Sequence, residues 1–296
     1  MAVAPEFMPR IRRSESMSRH TSWHAGGAAE VYFRPRDRRD LAAFLRNLPP
    51  DVPLHWLGLG SNLLVRDGGV RGVVITTLDA LERLDRVAET TVFAEAGVAC
   101  ARIARECITW GLGPAEFLAG IPGTLGGALA MNAGAFGGEI WNHVLEVQTI
   151  DRRGVEHVRA RGEFAVGYRS VRAPVPDEGF LAARLHFDRK PGANEAEVRE
   201  LLAKRRAAQP IGAWSCGSVF TNPPGDHAAR LIEAAGLKGF RIGDAGVSPK
   251  HANFIINYGS ASAADLEHLI EHVRATVERV HGVRLTPEVR ILGEPA

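Results

Sequence analysis

The chain has 296 residues, 45% of them hydrophobic and 24% charged, with 36 Lys+Arg against 34 Asp+Glu for a formal net charge of +2. That length is enough for two domains of ordinary size, and the balance is that of a folded protein rather than a disordered or fibrous one. The near-neutral charge argues against a nucleic-acid partner; three cysteines, Cys100, Cys107 and Cys216, without metal-ligand spacing argue against a structural zinc site and fit reduced thiols in a cytoplasmic protein.

Residues 1–19 are basic and hold no apolar stretch long enough for a signal sequence or a membrane span, so a mobile extension is expected there. Ordered structure is expected from about residue 20. A strand at Glu30–Phe33 is followed by a helix over Arg38–Leu48, started by Asp37 and Asp40 and carrying Leu41, Phe44, Leu45 and Leu48 on one face. Strands follow at Leu54–Leu57, Gly72–Ile75 and Thr91–Ala96. A helix over Ala101–Trp110 comes next, with Cys100 and Cys107 two turns apart as core thiols. A short helical stretch is expected at Ala128–Asn132, then a hairpin of Leu145–Ile150 and Val155–Arg159 around the turn Asp151–Gly154, then a strand at Phe180–Phe187. Beyond the Pro191-Gly192 pair the texture changes to helices at Glu195–Ala208 and His227–Ala235 and a strand at Asn253–Asn257. The last helix is the clearest: Ser262 and Asp265 make a capping box, Leu266, Leu269, Ile270, Val273, Val277 and Val280 form a stripe, and Gly282 ends it. A terminal strand is expected at Val289–Leu292. The reading is an α+β protein with a first domain over 20–190 (subdomains about 20–80 and 81–190), a second over 192–284, and a segment 285–296 returning to the first.

Glycine is the informative excess. Of 32 glycines, nine fall between Gly111 and Gly138 and five between Gly58 and Gly72. Gly123, Thr124, Gly126 and Gly127 stand just before the expected short helix. Two readings stand open: successive N–H groups at a helix start cradling a phosphate-bearing ligand, or glycines that only allow tight turns and close packing. GLGSN at 58–62 offers a second such loop, which fits an extended cofactor gripped at two places. A Rossmann fingerprint fails, because Leu63 stands where the third glycine belongs and a strand, not a helix, follows; no Lys-Ser/Thr pair makes a P-loop and no Gly-x-Ser-x-Gly makes a hydrolase elbow.

Three further places have acid–base potential. Arg169 follows Tyr168 in Gly-Tyr-Arg-Ser, and reads either as a solvated loop arginine or as an anion-binding one. Ser218 sits in the glycine turn Cys216–Phe220; a serine hydroxyl donates a proton only to a strongly basic centre such as a carbanion or enolate, and otherwise serves as a cap. Glu288 starts the terminal strand, where a solvated glutamate is the default. His268 and His272 stand one helical turn apart without a third ligand, and no metal is expected.

These motifs, in this order, resemble one family. His20-Thr21-Ser22 with Gly26-Gly27, GLGSNLLVRDGG, AGIPGTLGGALAMNAGAFGGEI, GYRS, the run from Cys216 to Asn257 and PEVRILG are similar to the signatures of the UDP-N-acetylenolpyruvoylglucosamine reductase (MurB) family, from about residue 20 to the end. The resemblance implies an FAD-binding fold of the vanillyl-alcohol oxidase/PCMH type followed by a substrate domain. FAD is then expected between the two subdomains, its pyrophosphate near Gly58–Asn62 and Gly123–Gly127. The candidate cofactor contacts are Gly58, Gly60, Ser61, Asn62 and Leu63 on the first loop and Pro122, Gly123, Thr124, Gly126, Gly127, Asn132, Ala133 and Gly134 on the second.

The implied activity is reduction of UDP-N-acetylglucosamine enolpyruvate in a ping-pong cycle: NADPH reduces the flavin and leaves, then hydride passes to the terminal vinyl carbon. Ser218 matches the proton donor to the neighbouring carbon. Arg169 and Glu288 match the groups that bind the carboxylate and stabilise its enolate form. Tyr168 beside Arg169, together with Asn222, Lys204 and Arg206, are candidates for substrate contact, the last three at the diphosphate. Thr221 stands where the family often has lysine, and the interval from Ser170 to Phe180 leaves no room for the tyrosine-bearing insertion of one subclass, so the chain resembles the shorter subclass. A cytoplasmic monomer serving peptidoglycan synthesis is implied, with no nucleic-acid or membrane partner. Two alternatives stay open: another FAD-dependent oxidoreductase or oxidase of this fold acting on a sugar or alcohol, and a nucleotide-binding module that has lost its chemistry.

Overall fold

The computed structural model describes residues 4–296. The chain divides into two compact units. The first takes the described residues up to Arg13, Val31–Leu59 and Gly72–Ala203; the second takes Ser14–Glu30, Gly60–Arg71 and Lys204–Ala296. The segments Ser14–Glu30 and Gly60–Arg71 therefore group with the second unit, where a continuous 20–190 domain was expected, and the tail pairs with Leu63–Val65 of that expected domain. The physical reason lies in the second unit's core. Trp23 is fully buried, its indole Nε1 donates to the Ile255 carbonyl at 2.8 Å, and Asn257 Nδ2 donates to the Trp23 carbonyl at 2.8 Å. The strand Leu63–Val65 pairs in parallel with Arg290–Leu292, so the tail closes on this segment.

In the first unit Leu54–Leu57 pairs in parallel with residues 73–76 of the strand Val70–Thr76, in a four-stranded sheet whose other strands are Ile11–Ser16 and Ala28–Phe33. The helix Arg38–Arg46 covers it. Asp37 accepts the Asp40 N–H at 2.8 Å, as the spacing of the two aspartates predicts, and Leu41, Phe44 and Leu45 pack against Val31, Phe33, Val73 and Ile75.

A second, five-stranded antiparallel sheet runs in the order Glu156–Ala160, Val144–Ile150, Gly179–His186, Thr91–Glu95, Leu84–Ala88. The helices Cys100–Thr109 and Leu125–Met131 share its core with Val147, Ala183 and Leu185. Cys100 and Cys107 are fully buried there, and burial pushes both thiols up to about 12, as inert core residues.

The expected hairpin turn is present and has a clear cause. Asp151 Oδ1 accepts the N–H groups of Arg153 (2.8 Å) and Val155 (3.0 Å), while Gly154 takes a left-handed φ of +70°.

The N-terminal arm is not a mobile extension. Pro5–Arg10 forms a short 3-10 helix, and Phe7, 1% exposed, packs edge-on against Phe33 and Phe44 with ring centroids 6.2 and 5.3 Å away. Arg10 Nε lies 2.8 Å from Asp40 Oδ2. Burial of one aromatic residue and one ion pair anchors a segment whose composition is otherwise that of a solvated tail; residues 1–3 of the expected extension lie outside the described residues.

In the second unit the helix Ala263–His281 follows its predicted capping. Ser262 Oγ accepts the Asp265 N–H at 3.0 Å, Asp265 Oδ2 accepts the Ser262 N–H at 3.0 Å, and Gly282 closes the helix at φ +68°. The first-turn N–H groups of Ala263 and Ala264 also donate to the Asp67 carboxylate, at 3.0 and 2.9 Å. The stripe from Leu266 to Val277 is buried, but Val280 is 47% exposed, because the last turn runs beyond the core it packs on. Beside the helix lies a three-stranded antiparallel sheet of Arg241–Ile242, Ala245–Val247 and Ile255–Asn257. Among the described residues no helix is long and apolar enough to cross a membrane, and no group of three His, Cys, Asp or Glu could hold a metal ion. His272 stacks on Phe240 with ring centroids 4.4 Å apart.

Two stability predictions follow from these contacts. Phe7→Ala is expected to cost about 3–5 kcal/mol in denaturant unfolding, the usual loss for a buried phenylalanine; a loss under 1 kcal/mol contradicts the packing of the arm. Hydrogen bonds to the ionised form hold the Asp151 carboxyl down at about 2 against the burial that raises it, so its stabilising charge is present above the ordinary value near 4 and is lost as pH falls toward 2. Asp151→Asn is thus expected to lower Tm at pH 7 and to leave it unchanged near pH 2.

Candidate functional site

The glycine-rich block of the first unit is built differently from the expected cradle. Its helix begins at Leu125, three residues before the expected start, because Thr124 acts as N-cap and its hydroxyl faces the Gly127 N–H at 3.5 Å. Gly126 and Gly127 consequently lie in the first turn. The N–H of Leu125 donates to Val98 O at 2.8 Å and that of Gly126 to Ala96 O at 2.9 Å, so these two donors are engaged by the protein and do not point at a ligand. The glycines serve close approach. A Cβ on Gly58 would stand 2.5 Å from Thr124 Oγ1, and one on Gly126 would stand 3.0 Å from Ala96 Cβ. Gly123 is held likewise, its carbonyl accepting from Cys100 N at 2.9 Å, next to the exposed Pro122.

What that approach leaves is a pocket of about 150 Å³, lined by Trp56, Gly58, Thr77, Gly127, Glu178 and Phe180 among others. A Cβ on Gly127 would meet nothing closer than Thr124 Oγ1 at 3.7 Å, so this floor is bare backbone open to a ligand. Aromatic walls over a side-chain-free floor fit a flat ring system. Glu178 was not singled out by the sequence. Burial raises its carboxyl, but hydrogen bonds from Arg159 and from Thr149 Oγ1 (2.6 Å) outweigh that and hold it ionised. Trp56 stands on one strand and Glu178 and Phe180 flank Gly179 at the start of another, and no local motif marks them.

Arg169 stands in a tight hairpin between Ala165–Gly167 and Ser170–Arg172, with Gly167 paired to Ser170 and Arg169 itself at φ +52°. It is half-buried, not a solvated loop arginine. Its guanidinium donates through Nη1 to Asn132 O at 3.1 Å and through Nη2 to Gly134 O at 2.9 Å. Tyr168 beside it is half-exposed, its ring 5.3 Å from the Arg169 carbon. Asn132, left-handed at φ +50° and 1% exposed, gives its amide to Glu139 Oε2 and Gly167 O and accepts from Trp141 N. Those bonds make Asn132 the brace of the Arg169 hairpin. Ala133 is tied by backbone bonds to Ala128 and Ile140, and a Cβ on Gly134 would meet Gly138 O at 2.2 Å.

In the second unit Gly60 takes φ +70° where a Cβ would lie 1.8 Å from His20 O, and its carbonyl accepts from Ser22 N at 3.2 Å; the His20-Thr21-Ser22 motif and the glycine loop are two sides of one contact. Ser61 is half-buried, whereas the Leu63 side chain is in the interior. Asn62 donates from Nδ2 to Glu288 O at 3.0 Å, and its carbonyl accepts from Arg290 N at 3.1 Å.

Ser218 and Glu288 are brought together. The Glu288 N–H donates to Val219 O at 2.7 Å, Thr221 N donates to Thr286 O at 3.0 Å, and Phe220 bridges Pro287. The half-buried Ser218 hydroxyl has no hydrogen-bond partner among the described residues. Burial, and then the nearby Glu288 carboxylate, push the Cys216 thiol far up, so this cysteine is no nucleophile. The three expected diphosphate residues fare unequally. Asn222 Oδ1 accepts the Ala228 N–H at 3.1 Å and starts the helix Ala228–Ala234, while Lys204 and Arg206 are exposed on the helix Glu195–Ala208.

If the bare floor and the Gly58–Thr124 approach form the ligand site, Gly58→Ala forces these segments apart and should lower bound-flavin content several-fold in the purified protein, read from visible absorbance. Full flavin content in that variant contradicts this assignment.

Comparison with known proteins agrees with this geometry. A family model described as FAD binding domain matches residues 29–159, and one described as UDP-N-acetylenolpyruvoylglucosamine reductase, C-terminal domain, matches residues 209–292. The UDP-N-acetylenolpyruvoylglucosamine reductase of Alkalilimnicola ehrlichii is 60% identical over 99% of this chain and 99% of its own. That of Methylococcus capsulatus is 56% identical over 95% of this chain and 92% of its own. Among solved structures, the UDP-N-acetylenolpyruvylglucosamine reductase (MurB) of Thermus caldophilus superposes with a TM-score of 0.82 at 32% identity, covering 96% of this chain and 99% of that one. With an FAD-binding region, the matching C-terminal domain and near-complete coverage by such relatives, the chain belongs to the UDP-N-acetylenolpyruvoylglucosamine reductase family.

Proposed function

We propose that this chain reduces UDP-N-acetylglucosamine enolpyruvate to UDP-N-acetylmuramate at the expense of NADPH with FAD as its cofactor, as a cytoplasmic monomer in peptidoglycan precursor synthesis and thereby in cell-wall growth and division. The observation that carries the reading is the hydrogen bond from Glu288 N to the carbonyl of Val219, the residue after Ser218, in a chain whose relatives bear that activity in their names. Gly58, Gly60, Ser61, Pro122, Gly123, Thr124, Gly126 and Gly127 would hold the cofactor mainly by backbone and small side chains.

Bound FAD supplies the hydride, taken from NADPH, that the vinyl carbon of the substrate receives. The protein's own groups then manage the charge and the proton. As the vinyl carbon gains hydride, negative charge develops on the neighbouring carbon and spreads into the substrate carboxylate. A guanidinium offers that carboxylate two parallel donors, which is the role of Arg169, with Tyr168 at its side. Asn132 and Gly134 hold Arg169 by their carbonyls, so it is positioned before substrate arrives. Glu288, with Arg169, is the group assigned to the enolate form of that carboxylate, and Ser218 Oγ donates its proton to the carbon. A serine hydroxyl has so high an intrinsic pKa that only such a basic carbon can take its proton, which explains a serine with no other protein partner at this place. Asn222, Lys204 and Arg206 are the residues of the second unit for the nucleotide diphosphate.

The direct test is the visible spectrum under anaerobic conditions. A yellow protein that NADPH bleaches and the enolpyruvyl nucleotide restores supports the reading. A bleached protein that only oxygen restores favours an oxidase of the same fold, and a colourless protein that takes up no FAD overturns the flavoenzyme altogether. Within the reading, Ser218→Ala is expected to slow the product-forming half-reaction by about 10²–10⁴-fold, the usual share of a general acid. Bleaching by NADPH should keep its rate. Glu288→Gln should show the same asymmetry in stopped-flow traces, and equal slowing of both halves would point to damaged flavin binding instead.

A further inference from the structure

The stretch HANFIIN, residues 251–257, belongs to the motifs of this chain but has no part in the mechanism above. Its Asn253 is 4% exposed and lies against the segment that carries Ser218. Asn253 Nδ2 donates to Phe220 O at 2.8 Å, Asn253 Oδ1 accepts from Phe220 N at 3.0 Å, and the Asn253 carbonyl accepts from Val219 N at 2.9 Å. One residue thus satisfies both polar groups of Phe220 and the N–H of Val219. On the other side, Val219 O accepts from Glu288 N at 2.7 Å.

The reason an asparagine is needed lies in the direction of the Phe220 peptide groups. In the Phe220–Pro287 bridge the rungs are made by the flanking residues, Glu288 N to Val219 O and Thr221 N to Thr286 O, so the N–H and C=O of Phe220 face the other edge, where Asn253 lies. Val219 and Phe220 are both buried, 0% and 1% exposed, so an unanswered peptide group here would be costly. The side-chain amide supplies a donor and an acceptor at one reach, as a neighbouring strand would on that edge. Aspartate lacks the donor, and an aliphatic residue lacks both.

We propose that Asn253 is a positioning residue for proton transfer: by clamping Val219 and Phe220 against Glu288 it fixes the direction of the Ser218 hydroxyl. The proposal rests on the proposed function for its kinetic part only. The hydroxyl of Ser218 has no other partner to orient it among the described residues, so its placement is inherited from the backbone that follows it.

The test uses the FAD-loaded full chain. Asn253→Asp keeps the shape and loses the donor to Phe220 O. It is expected to slow the product-forming half-reaction by about 10²-fold, the cost of a reacting group misplaced by about 1 Å, with unchanged KM for the enolpyruvyl nucleotide, unchanged bleaching by NADPH and full flavin content. In a Ser218→Ala background the same substitution should cost nothing further, since it acts through that hydroxyl. Wild-type rates in Asn253→Asp, or losses that multiply in the double variant, overturn the proposal. If Asn253→Asp does not accumulate as flavin-loaded protein, Asn253→Ser, whose hydroxyl is too short to reach both groups of Phe220, carries the same comparison. Amide hydrogen exchange over residues 218–220 gives a readout independent of turnover: exchange there should rise at least tenfold in the variant, and unchanged protection overturns the clamp. A wild-type protein that fails to reduce the nucleotide contradicts the proposed function instead, and exchange then decides the clamp by itself.

Discussion

The hydrogen bond from Glu288 N to Val219 O ties the C-terminal strand to the turn that carries Ser218, and the rest of the second unit is arranged to keep it. The terminal strand is held in parallel to Leu63–Val65, the Asn62 amide caps the Glu288 carbonyl, and Asn253 answers the other edge of Val219 and Phe220. The carboxylate and the hydroxyl are therefore set by main-chain bonds between segments that are buried or nearly so. Side-chain freedom is left to the Ser218 hydroxyl, which has no hydrogen-bond partner among the described residues. Rigid backbone under a free hydroxyl is the arrangement that proton delivery to a single carbon requires.

The glycine clusters show how one residue type serves two ends. At Gly58 and Gly60 the missing Cβ lets segments of one unit meet at distances a Cβ would not allow, at Gly126 it permits a tight approach to Ala96, and at Gly127 it leaves a floor open. The first-turn N–H groups that a phosphate cradle would use at Leu125 and Gly126 are bonded to Val98 and Ala96 instead. A cofactor held here is accordingly held by shape, by aromatic walls such as Trp56 and Phe180, and by the remaining backbone of the loops, more than by a ring of N–H donors at one helix end. Arg169 follows the same logic of advance placement. Its left-handed backbone and its two carbonyl anchors cost conformational freedom that is repaid only if the guanidinium must already point the right way when an anion arrives.

Elements with strong local signals were legible from the residues: the Asp37 start of the first helix, the Ser262/Asp265 box and Gly282 stop of the last, and the Asp151 turn, each of which depends on bonds within a few positions. The site motifs were legible because their glycines and the Ser218, Arg169 and Glu288 contexts are contiguous in sequence. What was hidden depends on distant partners. Phe7 reads as part of a basic tail until Phe33 and Phe44 are seen beside it, and the bracing of the Arg169 hairpin by Asn132 is hidden until Gly167, Glu139 and Trp141 are placed at its amide. Asn253 has no meaning until Phe220, whose N–H and C=O face it, is placed beside it. The grouping of Ser14–Glu30 and Gly60–Arg71 with the C-terminal half likewise follows from Trp23 and the parallel tail strand, which no local pattern announces.

The central claim is that a backbone-fixed serine delivers one proton to one face of the substrate carbon. It is tested most directly by running the full reaction in D2O and determining, by NMR of the isolated product, the deuterium content and configuration at the carbon next to the carboxylate. The account predicts one deuterium at that carbon in a single configuration. A product with mixed configuration there, formed at the wild-type rate, contradicts it.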